Sequence, residues 1–495
     1  MSYSVVEYYG ENSKYQCGYC KQSSSCSSYG MWAHKLSCQD YQELIDRGWR
    51  RSGCYCYKPM MDVTCCPSYT IKCDAINFRL NKSHKKIIKR MNKFLRDGLK
   101  ETSEQDAQSN IDEIATHDGS ACDQEHTEVP SMQPRVLDPD LLNTLTHVNS
   151  EKRSPSADDK TSALPIPTLS GVVNTSTHTS DSSISNQPKK AKLRRIERKR
   201  EKLQKKGLSG ADIEQLMQSN NRKSAEKSLE EFLSESPQDN DSPAHRLKIV
   251  TLLTSGAKFQ ESLHVSFNLY KKYQTAIHND PPGAIEDYLD FLVKSPLKSS
   301  QAYISPFQGF GTFHQQYWLD DRLIAVGVID VLPNCVSSVY FFYDPEYKFL
   351  SLGTYGSLRE LAYTRSLYKE YPSISNYYMG FYIHSCPKMR YKSNLQPSYL
   401  LCPEAYTWHL LDRTVVAKLD ASKYSRLNDD PTAQDTNKAT EQDVKDVLLI
   451  FGRSCMTYTQ YLVIYTVVGK ELPILFEYAR LVGKSCAKKM MLYRV

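Results

Sequence analysis

Residues 244–495 contain the clearest alternation of apolar and polar positions. Residues 245–253 alternate polar and apolar side chains, which predicts a β-strand. Residues 323–332 and 336–344 are rich in β-branched and aromatic side chains and are separated by the turn-forming PNC segment, so they predict two neighbouring strands. Residues 377–384 predict a further strand.

Helical spacing occurs between and around these strands. Residues 266–280, 285–293 and 353–371 predict helices. Strands interleaved with helices indicate a mixed α/β (α+β) domain in which helices pack on a sheet.

A second helical pattern lies near the start of the chain. Its apolar residues share one face, Lys and Arg occupy the other, and Gly98 follows the end, which predicts a basic amphipathic helix. The apolar positions are Ile87, Ile88, Met91, Phe94 and Leu95.

The composition divides the chain into three regions, in keeping with the two or three domains expected for 495 residues. Residues 1–98 form a small Cys-rich domain. Residues 99–243 are polar and poor in aromatic residues, which predicts a largely disordered linker. Residues 244–495 form the largest ordered unit.

The basic residues are clumped, which suggests a polyanionic partner more strongly than the net charge of +7 does. Residues 188–206 contain eleven Lys or Arg and two Glu. This segment predicts a basic helix, which is either a solvated charged helix or an RNA-contacting or nuclear-localisation segment.

Targeting patterns favour a reducing compartment. The first twelve residues lack a basic segment followed by an apolar run, so we expect no signal peptide. The longest apolar stretches are near ten residues, whereas a membrane span needs about 18 or more. We therefore expect the protein in the cytoplasm and nucleus, where fifteen cysteines do not suit a disulfide framework.

The cysteines are concentrated at the start of the chain, where nine of the fifteen precede residue 74. Cys17 and Cys20 form a C-x-x-C turn, and Cys65 and Cys66 are adjacent. Two such pairs suit a tetrahedral thiolate site for zinc or an iron–sulfur cluster, a redox pair, or structural thiols. The other nearby cysteines offer substitute ligands: Cys26, Cys38, Cys54, Cys56 and Cys73.

Longer motifs resemble a known family. CGYC (17–20), GWRRSG (48–53) and YKPMMDVTCCPSYTIKCD (57–74) resemble the N-terminal domain of arginyl-tRNA–protein transferases. Residues 311–345 and 377–404, which include the segments GTFHQQYWLDD and YYMGFYIHSCPKMRYK, resemble the transferase domain of the same family.

The resemblance implies a function. Members of this family move arginine from arginyl-tRNA to the α-amino group of proteins that begin with Asp or Glu, in some members also oxidised Cys, and so mark them for ubiquitin-dependent degradation. It also implies a GNAT-like acyltransferase fold for the C-terminal domain, no coenzyme A, and zinc or an iron–sulfur cluster at Cys17, Cys20, Cys65 and Cys66.

The chemistry of this reaction suggests roles for several residues. The aminoacyl ester is already activated, so positioning rather than a covalent intermediate is expected to drive transfer. We expect His384 to be the proton acceptor, although a hydrogen-bonded structural histidine is the alternative. His314 and Gln315, placed before a strand, are expected to line the site, and Asp330 to bind the donor guanidinium.

Recognition requires cationic and aromatic side chains. The acceptor's acidic side chain is assigned to the basic segment after residue 384, and the alternative is a solvated loop; its residues are Lys388, Arg390, Tyr391 and Lys392. Tyr378 and Tyr382 are candidates for stacking on the terminal adenosine. The predicted tRNA surface comprises residues 188–206 together with Arg50, Arg51, Lys85, Lys86, Lys89 and Arg90.

Two rival functions remain open at this point. An acetyl-CoA-dependent N-acetyltransferase has a similar fold, but residues 353–360 space their glycines differently from the usual pyrophosphate-binding loop. A non-catalytic zinc- and RNA-binding protein would use the basic segments but would not need the aromatic-rich C-terminal domain.

Overall fold

A computed structural model gives the fold of the protein. It describes residues 3–98, 134–135, 198, 200–201, 203–204, 227–237, 242–298, 309–465 and 471–494. Residues 1–152 and 228–495 form one compact unit, and residues 153–227 form a second. The predicted linker and the basic helix at 188–206 lie mostly outside the described residues.

One eight-stranded sheet of the first unit combines both ends of the chain. Its strands are β1 (Val5–Tyr15), β2 (Cys26–Ser37), β3 (Arg50–Ser52), β4 (Tyr55–Pro59), β7 (Leu297–Lys298), β14 (Leu448–Phe451), β15 (Ser454–Thr457) and β16 (Met491–Arg494). The order is β15-β14-β16-β1-β2-β4-β3, and β7 pairs with β2. Because β1 pairs with β16 in parallel and with β2 antiparallel, the first and last strands are hydrogen-bonded neighbours.

A second eight-stranded sheet contains all four strands predicted from residues 244–495. Its strands are β5 (Tyr69–Asp74), β6 (Leu247–Leu253), β8 (Gly311–Leu319), β9 (Arg322–Leu332), β10 (Cys335–Tyr343), β11 (Asn376–Tyr382), β12 (Ser398–Leu401) and β13 (Trp408–Leu410). The order is β13-β12-β5-β11-β10-β9-β8-β6. Only the β10–β11 pair of this sheet is parallel.

Strand β5 precedes the predicted linker in sequence, yet it lies between β11 and β12. Both ordered regions of the chain therefore contribute to both sheets. The mixed α/β class is confirmed, whereas the domain boundaries near residues 98 and 243 stay predictions.

Helices cover the sheets and connect the strands. The described helices are α1 (Cys38–Ile45), α2 (Lys82–Asp97), α3 (Leu229–Ser234), α4 (Ala257–Tyr273), α5 (Ile285–Tyr288), α6 (Leu352–Tyr368), α7 (Pro387–Arg390), α8 (Arg413–Ala421), α9 (Glu441–Val444), α10 (Tyr458–Tyr465), α11 (Leu472–Val482) and α12 (Lys484–Lys489). Among the described residues, no helix combines the length and the apolar character that crossing a bilayer requires.

Helix α2 confirms the predicted basic amphipathic helix. The Asn81 side chain accepts a hydrogen bond of 2.8 Å from the backbone N–H of His84, which satisfies a free donor at the helix start. Gly98 ends the helix with a φ of 69°, in the left-handed region that glycine adopts readily. The predicted apolar residues are all buried: Ile87, Ile88, Met91, Phe94 and Leu95.

Strand β8 corrects the prediction that His314 and Gln315 precede a strand, because both lie within it. The polar residues of β8 do not alternate between buried and exposed positions, because their hydrogen-bond partners lie inside the protein. The Tyr317 hydroxyl donates to Gln315 Oε1 at 2.6 Å, and Gln316 Nε2 donates to Ser262 Oγ at 2.7 Å. A strand buried on both faces shows little alternation.

A buried ion pair joins the two sheets. Arg51 of β3 and Asp330 of β9 have side-chain exposures of 1% and 0%. Arg51 Nε donates to Asp330 Oδ2 at 2.8 Å, and Arg51 Nη2 donates to Oδ1 at 2.6 Å. The Thr312 hydroxyl donates to the same carboxylate at 2.7 Å, so the charges are both paired and hydrogen-bonded. Burial lowers the pKa of Arg51, but the Asp330 carboxylate more than offsets this and raises it above its usual value.

We predict that Asp330→Asn destabilises the protein by about 3 to 5 kcal/mol, because it leaves the Arg51 charge buried without a counter-charge. Denaturant unfolding monitored by circular dichroism measures the change. Asp321→Asn, at an exposed turn, is the matched control and is expected to stay within about 0.5 kcal/mol of the unmodified protein. Equal unfolding midpoints for Asp330→Asn and the control would contradict the prediction.

Candidate functional site

Four cysteines meet beside the first sheet. The Sγ atoms of Cys17, Cys20, Cys65 and Cys66 all lie within 4.8 Å of one another, and those of Cys20 and Cys65 are 3.4 Å apart. Cys17 and Cys20 follow β1, and the other two lie between β4 and β5. The Cys65 backbone N–H donates to the Ser25 carbonyl at 2.9 Å, which fixes the second pair against the β1–β2 connection.

The four thiols fit a metal. Tetrahedral zinc–thiolate bonds of about 2.3 Å imply sulfur separations of about 3.8 Å, which is within the observed range. Burial raises the pKa of the Cys17 thiol, but the backbone N–H groups of Cys20 and Tyr19 outweigh burial and lower it to about 7, which favours the thiolate. Among the described residues, none of the predicted substitute cysteines belongs to this group.

The cysteine cluster contacts the segment that follows β11. Cys17 and Cys66 pack with the apolar side chains of Ile383 and Met389, and Cys386 packs at the edge of the same group. A metal at this site would therefore stabilise the segment that carries His384 and the predicted basic residues.

His384 lies two residues after the end of β11, which stops at Tyr382 rather than at the predicted residue 384, and 14% of its side chain is exposed. Its Nδ1 is 2.8 Å from the Tyr382 hydroxyl, and its Nε2 is 2.8 Å from Asp420 Oδ1. Burial raises the pKa of Tyr382 to about 12, so its hydroxyl stays protonated beside Nδ1. Both ring nitrogens of His384 are thus engaged within the protein, and the proton-acceptor role stays a prediction.

The predicted acceptor-binding segment divides into buried and exposed residues. Lys392 is only 1% exposed, and its ammonium donates to the backbone carbonyls of Met379 and Phe381 at 2.8 and 2.7 Å. Tyr391 is buried, whereas Lys388 and Arg390 are exposed. The burial of Lys392 and Tyr391 does not fit direct acceptor binding, because their side chains lie inside the protein.

Three other predicted site residues are interior. Burial lowers the pKa of His314 to about 4, and its Nε2 lies 3.0 Å from the Leu292 carbonyl. Gln315 is hydrogen-bonded to Tyr317, and Asp330 is bound to Arg51. A carboxylate that is fully buried and already paired does not suit a donor guanidinium, which corrects the Asp330 assignment.

The predicted adenosine-stacking and tRNA residues are also split by burial. Tyr378 and Tyr382 are buried, and the Tyr378 hydroxyl donates to Asp46. Arg50 and Arg51 are buried too, and Arg50 Nη2 donates to the Gly380 carbonyl at 2.9 Å. Buried guanidinium groups cannot contact a phosphate without rearrangement, so these two do not fit the tRNA surface.

The basic face of α2 has a different environment. Lys86 and Lys89 are exposed, and Lys85 and Arg90 are half-buried. Arg90 Nη1 donates to the Phe349 carbonyl at 3.0 Å. The exposed lysines of this helix keep their assignment to the tRNA surface as a prediction.

A groove that the sequence did not predict lies elsewhere in the same compact unit. Its larger compartment has a volume of about 650 Å³, and the adjoining smaller one has about 250 Å³. Tyr29, Arg47, Pro403 and Tyr406 line both compartments. Strands β2 and β4 and the segments after β12 and in α11 provide the walls, so the groove is built from both ends of the chain.

The charged residues between the compartments are arranged around Tyr406. Arg47 Nη1 and Nη2 donate to the Asp435 carboxylate at 3.0 and 2.7 Å. The Arg47 guanidinium and the Lys58 ammonium lie 4.1 and 4.9 Å from the centre of the Tyr406 ring. Burial raises the pKa of Tyr406, but Lys58 and Arg47 outweigh it, so the net shift is downward.

The larger compartment is bordered by carboxylates. Glu404 is paired with Arg426 at 2.8 Å. Glu477 accepts a hydrogen bond of 2.6 Å from the neutral Tyr8 hydroxyl, and it forms no ion pair with a described cation. Lys438 and Arg480 also line this compartment without an ion pair to a described carboxylate, so Glu477 is an available carboxylate in a lining of mixed charge, which also holds the aromatic rings of Tyr29 and Phe476.

Sequence reasoning missed this groove because its residues are scattered over more than four hundred positions. One signal was present: Lys58 lies within the motif at 57–74, and Arg47 directly precedes the motif at 48–53. Their convergence with residues 403–435 and 473–481 requires the fold.

Comparisons with known proteins bear on both ends of the chain. Residues 15–86 match the family model for the arginine-tRNA-protein transferase N terminus, and residues 265–402 match the model for its C terminus. The arginyl-tRNA–protein transferase 1 of Drosophila melanogaster is 45% identical over 99% of both chains. The arginyl-tRNA–protein transferase 2 of Arabidopsis thaliana is 34% identical over 90% of this chain and 82% of its own.

A bacterial protein shares a smaller part. The aspartate/glutamate leucyltransferase of Pseudomonas fluorescens is 36% identical over 138 residues, which cover 27% of this chain and 51% of its own. Because full-length similarity and both family models agree, the chain belongs to the arginyl-tRNA–protein transferases, aminoacyltransferases that move arginine from arginyl-tRNA to proteins.

Proposed function

We propose that this protein transfers arginine from arginyl-tRNA to the α-amino group of proteins that begin with Asp or Glu, with oxidised Cys as a further acidic acceptor. The name of the bacterial relative, aspartate/glutamate leucyltransferase, specifies leucine rather than arginine as the transferred amino acid and names aspartate and glutamate. The product would enter ubiquitin-dependent degradation in the cytoplasm and nucleus.

The observation that carries this proposal is the two-compartment groove, in which Glu477 and Lys58 each lack an ion pair with a described residue. Its volume falls in the usual range for ligand sites, about 300 to 1,000 Å³. The arginyl end of the tRNA suits the larger compartment, because Glu477 offers a carboxylate for the guanidinium and Tyr29 and Phe476 offer faces for adenine. The exposed lysines of α2, Lys86 and Lys89, would contact tRNA phosphates.

The reaction needs no energy source beyond the ester. The neutral amine nitrogen attacks the ester carbonyl carbon, the amide C–N bond forms, and the ester C–O bond breaks. The proton lost by the amine ends on the released ribose oxygen, directly or through water. Orientation of the two substrates supplies up to about 7 to 11 kcal/mol. A free α-amino group has a pKa of about 7.7 to 8.0, so a substantial fraction is already neutral.

The cysteine cluster is proposed to hold zinc or an iron–sulfur cluster. The spacing of Cys17, Cys20, Cys65 and Cys66 suits a single tetrahedral ion as it stands. Such a metal would crosslink two loops of the N-terminal region and stabilise their contact with Ile383 and Met389. Its role is therefore to position the segment after β11.

The purified protein is expected to transfer radiolabelled arginine from arginyl-tRNA to a peptide that begins with Asp, without coenzyme A. The labelled peptide is separated from the tRNA, and its radioactivity is counted. A peptide with an acetylated α-amine is the control and should stay unlabelled. Retention of tRNA without product would favour a non-catalytic RNA-binding protein, and modification that requires acetyl-CoA would favour an N-acetyltransferase.

Cys66→Ser is expected to lose bound metal and most transfer activity, because one of four thiolate ligands is removed. Metal analysis and an absorbance spectrum of anaerobically purified protein measure the change and identify the metal. Cys455→Ser, on β15 and outside the group of four, is the matched control and should retain both. Unchanged metal content in Cys66→Ser would exclude this site.

A further inference from the structure

The smaller compartment of the groove contains a cation without a counter-charge. Lys58 lines it and is half-buried. Its ammonium donates to the Arg47 backbone carbonyl and to Tyr406, and no described carboxylate forms an ion pair with it. The neighbouring Arg47 is different, because Asp435 binds its guanidinium through both oxygens. The exposed carboxylate of Asp62 also lines this compartment, but it forms no ion pair with Lys58.

A second polar group in the compartment also lacks a partner. Thr70 is 3% exposed, and its Oγ1 forms no hydrogen bond. A buried hydroxyl without a partner is uncommon and unfavourable. A ligand that accepts hydrogen bonds from an ammonium and a hydroxyl together would satisfy both groups.

Gly48 keeps the space beside these two groups open. A Cβ atom at this position would lie 3.4 Å from Lys58 Nζ and 3.9 Å from Thr70 Oγ1, so both polar atoms border the same small volume. Gly48 has a φ of 84°, which favours glycine over any other residue. Met60, Met61 and Tyr69 also line the compartment and leave room for a short side chain that ends beside Lys58 and Thr70.

We propose that Lys58 and Thr70 bind the side-chain carboxylate of the acceptor's first residue, an inference that rests on the proposed transfer to acidic N-termini. The carboxylate accepts hydrogen bonds from the Lys58 ammonium and the Thr70 hydroxyl. The acceptor's α-amine then faces the larger compartment, where the arginyl ester is held. Lys58 and Thr70 determine acceptor specificity and leave donor binding unaffected.

The physical basis is the cost of a desolvated charge. Burial lowers the pKa of Lys58, and the charge of Arg47 adds to this effect. An acidic side chain offsets both effects, whereas an amide of the same shape offsets neither. Discrimination between Asp and Asn at the first position is therefore the property that the site controls.

The test compares Lys58→Met with the unmodified protein on two peptides that differ only in Asp or Asn at the first position. The unmodified protein is expected to prefer Asp, and Lys58→Met should lower kcat/KM for the Asp peptide by at least about 30-fold. The Asp-to-Asn preference should collapse, while the KM for arginyl-tRNA changes less than about twofold. Lys248→Met, an exposed lysine on β6, is the matched control.

Thr70→Val keeps the shape and removes the hydroxyl, so it tests the site without removing charge. It should lower kcat/KM for the Asp peptide by about tenfold and reduce the Asp-to-Asn preference. An unchanged preference in both variants, or an equal rise in KM for peptide and for arginyl-tRNA, would overturn the assignment. No transfer by the unmodified protein to any acidic peptide would instead overturn the proposed function.

Discussion

The ion pair between Arg51 and Asp330 fixes how the two sheets meet. Arg51 belongs to the edge strand β3 of the first sheet and Asp330 to the interior strand β9 of the second, and water reaches neither side chain. Two charges in such a position are tolerated only when the geometry satisfies both, which restricts the sheets to one relative placement. The turn that follows Arg51 is also anchored, because the Gly53 N–H donates to the carbonyl of Phe291 at 3.1 Å.

The groove depends on that placement. Strands β2 and β4 supply Tyr29 and Lys58 from the first sheet, while Leu401 lies at the end of β12 in the second. A shift between the sheets would separate these walls. The interleaving of β5 between β11 and β12 resists such a shift through backbone hydrogen bonds on both sides. The early and late parts of the chain must therefore fold together before the groove exists.

Local sequence patterns predicted several helices and strands. The roles of individual charged residues depend on burial, which those patterns do not show. The helix over 82–97 and the strands β9 and β10 follow from side-chain periodicity, and the four cysteines from spacing. A sequence shows that Asp330 and Lys392 are charged but not how deep they lie. Strand β8 was missed because Gln315 and Gln316 are polar yet have internal partners. The groove could not be predicted, since Arg47 and Asp435 become neighbours only through the fold.

Charged residues of this protein that form ion pairs within the chain differ from those that do not. Arg47, Arg426 and Arg51 each bind a carboxylate of the chain, so their charges are already compensated. Lys58 and Glu477 form no ion pair with a described residue, and they line different compartments of one groove. In the proposed reaction the two substrates carry opposite side-chain charges, and Glu477 and Lys58 offer each of them a partner of opposite sign. Under that proposal these two contacts would orient the acceptor amine toward the ester before any catalytic group acts.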